Sequence, residues 1–396
     1  MTIFASCCAA QLSAADNVQS DWSGYVAVES RWFPHTALYP EQFDGLQTSL
    51  AVEPEYYRRW DDGRQTFVFK PFARLDQRDN ERTHADIREL AWLYAADDWE
   101  LRAGIRKVFW GVTESVHLVD IINQTDFVEN PDTEDKLGQP MINLALIRDW
   151  GNLDFFVLPG FRERTFPGED GRLRTQPVVD TDLARYESSA EDKHVDVAVR
   201  WFKTLGDWDV GVAHFHGTSR EPILEPAFNN RGQLVLAPLY NQIDQTSLDL
   251  QATLGEWLWK LEWLSRDGMG DRYTAAAGGF EYTFVGVFDS AADLGLITEY
   301  LFDDRDAQAT TLFQNDITLG LRLSLNDMPS SELLFGVTID RDDSQQRFYN
   351  LEASRRLGER MKLSLEARFN SGLEETDVFG SLRRDDYVQA ELAWYF

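Results

Sequence analysis

The chain has 396 residues, 43% of them hydrophobic, with a mean hydropathy of -0.39 and a formal net charge of -29. No run of eighteen apolar residues occurs, which excludes a helical membrane protein. So acidic a chain also lacks the basic patch that nucleic acid requires, so nucleic acid is not expected as a partner.

The first fifteen residues are apolar and rich in small side chains, and Ser13-Ala14-Ala15 before Asp16 fits a signal-peptidase site. This predicts a signal-peptide remnant over 1–15 and a single barrel domain over 16–396. The usual basic n-region is missing, which points to a true start further upstream. Phe4-Ala5-Ser6-Cys7 offers a weaker lipobox reading. Cys7 and Cys8 are the only cysteines, so cleavage after Ala15 would leave none, as suits passage through an oxidising periplasm.

From there the pattern is alternation of apolar and polar residues. It predicts strands near 22–33, 46–59, 65–76, 84–95, 99–110, 141–149, 152–165, 194–204 and 208–219. It continues near 243–254, 256–266, 273–287, 292–303, 315–326, 331–341, 345–356, 360–371 and 385–396. In 360–370, for example, Met361, Leu363, Leu365, Ala367 and Phe369 oppose Lys362, Ser364, Glu366, Arg368 and Asn370. Soluble strands peak near about 5–6 residues; these runs match the roughly 9–11 that an outer-membrane strand needs. Tight turns such as Asp61-Asp62-Gly63, Leu205-Gly206-Asp207 and Leu357-Gly358-Glu359 alternate with long polar connections.

The fold expected is therefore all-β: a transmembrane antiparallel up-and-down β-barrel of about 18 strands, with about 16 as the other even count. Parity places both termini with the short turns, at the periplasmic face of a Gram-negative outer membrane. Trp22, Trp32, Trp99, Trp257, Trp263, Tyr300 and Trp394 are candidates for aromatic girdles at the lipid interface.

The final residues, Ala393-Trp394-Tyr395-Phe396, close an alternating strand on Phe. This resembles the signature by which outer-membrane barrels are recognised for assembly. It implies the barrel-assembly machinery, outer-membrane lipid and lipopolysaccharide as partners. Across nearly the whole chain the pattern resembles porin-like barrels. A shorter stretch comprises Gly104-Ile105-Arg106-Lys107, Trp110-Gly111, Asp120 and Asn123-Gln124-Thr125-Asp126. It is similar to a strand-to-loop motif of alginate-export-like and exporter-associated uncharacterised barrels, with Ile105 in place of an Arg and Gln124 in place of a Pro.

A lumen this wide needs a constriction to be selective. The third long connection, 111–140, is the candidate, because it carries Val112, Val116, Leu118, Val119, Ile121, Ile122, Phe127 and Val128. Burying each stabilises by roughly 1.5–3 kcal/mol, so the connection is expected to fold inward. Its apolar side would lie on the wall and its acidic side toward the pore. Val116, Val119 and Ile122 stand at near-helical spacing. A cap over the mouth and a docking site for a partner are the competing readings.

Alternation turns Lys70, Arg74, Arg102, Arg106, Arg200, Lys260, Arg322, Arg356, Lys362 and Arg368 inward. It does the same for Asp154, Asp196, Asp249, Glu256, Glu262, Glu299, Glu352 and Glu366. The residues expected to line or constrict the pore are Arg102, Arg106, Glu114, His117, Asp120, Asn123, Asp126, Arg200, Arg322 and Arg368. Opposed charge rows would select polar, charged solutes; the bland alternative is pairing across strands.

The function expected is a porin-like channel for small polar or charged solutes. One alternative is an export conduit working with a periplasmic or inner-membrane transporter. Another is a barrel hydrolase built on His214 and His216 beside Thr218, Ser219 and Glu221. No HExxH or GxSxG is present, and the acidic run 126–135 lacks the EF-hand pattern. No catalytic residue, metal or cofactor is expected, and a homo-oligomer is left open.

Overall fold

The computed structural model describes residues 18–305, 309, 311, 313–377 and 379–396. The signal-peptide, lipobox and cysteine expectations lie outside the described residues. The strands are β1 (Gln19–Phe33), β2 (Gly45–Trp60), β3 (Gln65–Asp76), β4 (His84–Ala95), β5 (Trp99–Arg106), β6 (Gln139–Arg148) and β7 (Gly151–Pro159). Next come β8 (Arg185–Tyr186), β9 (Val195–Leu205), β10 (Trp208–Thr218), β11 (Ile223–Phe228), β12 (Leu234–Tyr240), β13 (Gln242–Leu254) and β14 (Trp257–Asp267). The last are β15 (Tyr273–Phe284), β16 (Asp293–Asp303), β17 (Asn315–Ser324), β18 (Glu332–Asp340), β19 (Arg347–Leu357), β20 (Met361–Ser371) and β21 (Tyr387–Tyr395). Among the described residues no helix is long and apolar enough to cross a membrane.

Eighteen of these strands form one antiparallel sheet. Each pairs with its neighbours, and β1 pairs with both β2 and β21, so the sheet closes into a barrel. The outer face is apolar, with Val28, Trp32, Leu50, Leu144, Leu261, Leu319 and Leu392 exposed. The inner face buries polar and charged groups, among them Glu29, Arg31, Arg74, Asp249, Glu262 and Glu299. A soluble sandwich would invert this distribution.

Every expected barrel strand is present. Two end at least four residues earlier than alternation implied: 99–110 ends at Arg106, and 152–165 ends at Pro159. The alternation beyond those points has another cause. Val108 and Trp110 pack into an apolar cluster with the following connection, and Phe161 packs on Tyr186 and Tyr240. Glu256, expected to face inward, stands in the tight turn between β13 and β14. The strands β8, β11 and β12, which alternation did not reveal, form a small separate sheet among the long connections.

One irregularity matters for the interior. The register of β3 and β4 shifts between Lys70 and Pro71, with Lys70 opposite Glu89 and Pro71 opposite Ile87. Proline cannot donate to the ladder, and a bulge accommodates it. The extra residue is Arg88, so two consecutive side chains, Arg88 and Glu89, both reach inner-face partners, Asp126 and Lys70 respectively.

Candidate channel lumen

The segment between β5 and β6 is held at its base by Asn123. Its Oδ1 accepts from the Val108 N–H at 2.8 Å, and its Nδ2 donates to the carbonyls of Arg106 and Leu137, both at 2.8 Å. Asp120 accepts from the Trp110 N–H at 3.3 Å and pairs with Lys136 at 3.2 Å. The apolar side, Trp110, Val119, Ile121 and Ile122, packs against Met141, Phe156, Leu158, Ala198, Ala213, Phe215 and Ile243, from β6, β7, β9, β10 and β13. Val116, Val119 and Ile122 do not form a helix; the segment runs through turns and bends. Their shared spacing reflects only one buried side.

The tip, Val112–Val119, ends on two buried wall carboxylates. Glu262 of β14 accepts from the N–H groups of Val112 (2.6 Å), Thr113 (3.0 Å) and Val119 (3.1 Å). Glu299 of β16 accepts from the N–H groups of Glu114 and Ser115, both at 2.8 Å, and from the Ser115 hydroxyl at 2.5 Å. Converging backbone N–H groups make an anion receptor, and here the wall supplies the anion. Glu114 completes the attachment through Lys260 at 3.3 Å and Arg322 at 2.7 Å. At Gly111 (φ 152) a Cβ would stand 3.0 Å from both Glu262 Oε1 and His117 Nδ1, so a side chain in the turn into the tip would both strain the backbone and push on these two groups.

The returning limb meets the opposite wall. Arg74 of β3 donates from Nε and Nη2 to Glu129, the shortest bond at 2.7 Å, and from Nη1 to Glu29 of β1 at 3.1 Å. Arg82 bridges Glu29 (2.8 Å) and Asp76 (3.0 Å) while donating to the Val128 and Glu129 carbonyls. Arg88 holds Asp126 at 2.5 Å, and the Thr165 hydroxyl donates to the same carboxylate at 2.7 Å. Arg368 of β20 reaches Asp132 at 3.2 Å and Glu352 at 2.9 Å.

A cavity of about 990 Å³ lies between this segment, the neighbouring connections and the wall, bordered by Glu114, His117, Asp132, Glu134, Arg266 and Arg368. Burial disfavours the His117 cation, but Glu134 at 2.8 Å from Nε2, with Glu262 3.8 Å from Nδ1, holds its pKa up at about 10. Burial and the nearby Glu366 push Asp132 up to about 7 against the pull of Arg368. Burial and Glu129 push Asp135 up to about 6.

Of the residues singled out from sequence, Glu114, His117, Asp120, Asn123 and Arg368 border this cavity, and Arg322 touches Glu114. Besides Arg322, four do not border it. Asp126 is buried in its pairing with Arg88 rather than turned to open space. Arg200 is clamped by Asp249 at 2.7 and 2.8 Å under the Trp110 ring. Arg102 donates to Asn143 at 2.9 Å and pairs with Glu100. The Arg106 carbonyl receives Asn123, while its buried Nη1 has no hydrogen-bond partner among the described residues.

The anchors Glu29, Arg74, Arg82, Arg88 and Glu129 were not among the expected site residues. Alternation marked Arg74, Glu262 and Glu299 as inward, but nothing in the sequence ties them to this segment. His214 and His216 stand exposed on the outer face, beside Thr246 at 3.0 Å and Asp244 at 3.0 Å. The Ser219 hydroxyl instead donates to the Glu221 carbonyl at 2.8 Å.

No protein-family model matches the sequence, and no curated protein matches it. Solved structures share the fold. OccK11 (OpdR) of Pseudomonas aeruginosa superposes with a TM-score of 0.54 at 10% identity, covering 96% of this chain and 96% of that one. A BenF-like porin from Pseudomonas fluorescens Pf-5 does so with a TM-score of 0.55 at 9% identity, covering 96% and 98%. At such identities the likeness speaks for the barrel architecture.

Proposed function

We propose that this chain is an outer-membrane, porin-like channel for small polar or charged solutes, narrowed by the segment 111–140 and with both termini at the periplasmic face. The observation that carries this reading is the barrel's two-sidedness. An apolar exterior suits lipid, a charged interior suits water, and closure removes the unpaired edges that hydrocarbon does not tolerate. The constriction reading rests on where the segment ends: on inner-face groups of β14 and β16 along one side and of β3, β4 and β20 along the other. A segment spanning those strands crosses the interior rather than capping it. The charged groups bordering the remaining space favour hydrated solutes.

Single-channel recording in planar bilayers tests the proposal. Pure folded protein should give discrete conductance steps, and its complete failure to conduct would overturn the reading. Deleting residues 113–138 should raise the conductance severalfold. An unaltered pore would place the segment outside the conduction path.

A further inference from the structure

Among the described residues, Met328 (97% exposed), Phe288 (85%) and Val285 (69%) are three of the four most exposed large apolar side chains. The fourth, Phe228, belongs to the β11–β12 hairpin among the long connections. The three share two neighbouring connections on the short-turn rim, 285–292 after β15 and 325–331 after β17. Asn326 joins these connections, its Nδ2 donating to the Ala291 carbonyl and to Asp293 Oδ2, both at 2.8 Å. Each is braced internally: the Gly286 N–H donates to Asp293, and the Ser331 N–H and hydroxyl both donate to Asp327.

The backbone is strained to present these groups. Phe288 (φ 58), Asp289 (φ 53), Asn326 (φ 50) and Ser330 (φ 52) adopt left-handed conformations without being glycine. Phe288 also lies four residues past the end of β15, beyond the ring cluster of Trp257, Phe280, Tyr282 and Phe284 that closes the apolar belt there. The belt's own aromatic contacts therefore do not account for it.

Charge distinguishes between the candidate occupants. The two connections with their flanking residues, 285–293 and 325–332, carry Asp289, Asp293, Asp327 and Glu332 and no Lys, Arg or His; Arg355 of β19 stands close enough to offset Asp327, which leaves the rim net acidic. Lipid phosphates would be repelled by such a rim. A protein segment with apolar side chains flanked by Lys or Arg would satisfy both the exposed apolar groups and the carboxylates.

We infer that this rim is a docking platform for a cationic, apolar segment of another protein on the periplasmic side. The side rests on the orientation proposed above; the platform itself does not. A nitroxide at Ala291→Cys, with Cys7→Ser and Cys8→Ser, leaves Phe288 and Met328 in place and reports on the platform in nanodiscs. The label should collide freely with a water-soluble nickel chelate and little with oxygen. A synthetic Leu/Lys amphipathic peptide should immobilise it saturably, a Leu/Glu peptide should not, and Phe288→Ser with Met328→Ser should raise the midpoint at least tenfold. Three results would overturn the inference: an oxygen-rich, chelate-poor label, which marks a lipid anchor; equal immobilisation by both peptides; or a midpoint unmoved by the double substitution. Conductance of the same preparation is scored separately, so a closed barrel that binds the peptide would sink only the channel reading.

Discussion

Glu262 and Glu299 show what a single residue contributes to this lumen. Each is a buried carboxylate whose partners are mainly backbone N–H groups, so its removal leaves donors unsatisfied rather than merely deleting a charge. Glu262→Gln with Glu299→Gln should lower the unfolding free energy by about 1–3 kcal/mol per site. Urea unfolding in liposomes would measure it. The same variant should conduct more and flicker more, because the tip loses its attachment.

Acidity acts at this scale too. Asp132 and Asp135 hold their protons more tightly in the folded chain than the unfolded value of about 3.9 would give. Their stabilising share is complete below about pH 4 and is lost as pH rises through about 7 for Asp132 and about 6 for Asp135. His117 behaves likewise: its share is full below about 6.5 and is lost as pH rises through about 10. Reversal potentials under a salt gradient should therefore show cation preference growing between pH 5 and 8. Asp132→Asn with Asp135→Asn should flatten that rise.

At the scale of the element, period-two alternation over membrane-length runs made nearly every barrel strand legible before any coordinates. Where it misled, side chains were buried by something other than the ladder, as with Val108, Trp110 and Phe161. The strands β8, β11 and β12 stayed hidden because their pairing is settled by contacts among connections, such as Tyr240 stacking on Tyr186. The bulge at Arg88 was equally silent, although Pro71 hinted that the ladder must break nearby. Gly104 in β5 supplies a test. Its φ is 129, and a Cβ there would stand 2.0 Å from the Leu90 carbonyl oxygen. Gly104→Ala should part β4 from β5 and sharply reduce the heat-resistant, compact form seen by gel mobility, and an unchanged yield would show that the backbone can shift.

For the whole molecule, the candidate site was legible as a place but less so as a set of contacts. Apolar residues in 111–140 marked a segment that water would not hold, and it packs on inner-face groups. Which wall residues receive it could not be read, because β14, β16, β3 and β20 meet it only after closure brings distant parts of the chain together. If Arg102 and Arg106 shape the permeant path despite standing away from the main cavity, replacing both with Ala should shift ion selectivity toward cations. No shift would assign them to wall structure alone.

The seam between β1 and β21 carries one more consequence. Until Val26 meets Trp394 and the Phe396 N–H reaches the Gly24 carbonyl, the sheet has two open edges, each a row of unpaired donors and acceptors. Hydrocarbon penalises such groups by several kcal/mol apiece. A half-built sheet therefore has no stable resting place in the bilayer, and the first and last strands must find each other during insertion rather than after it.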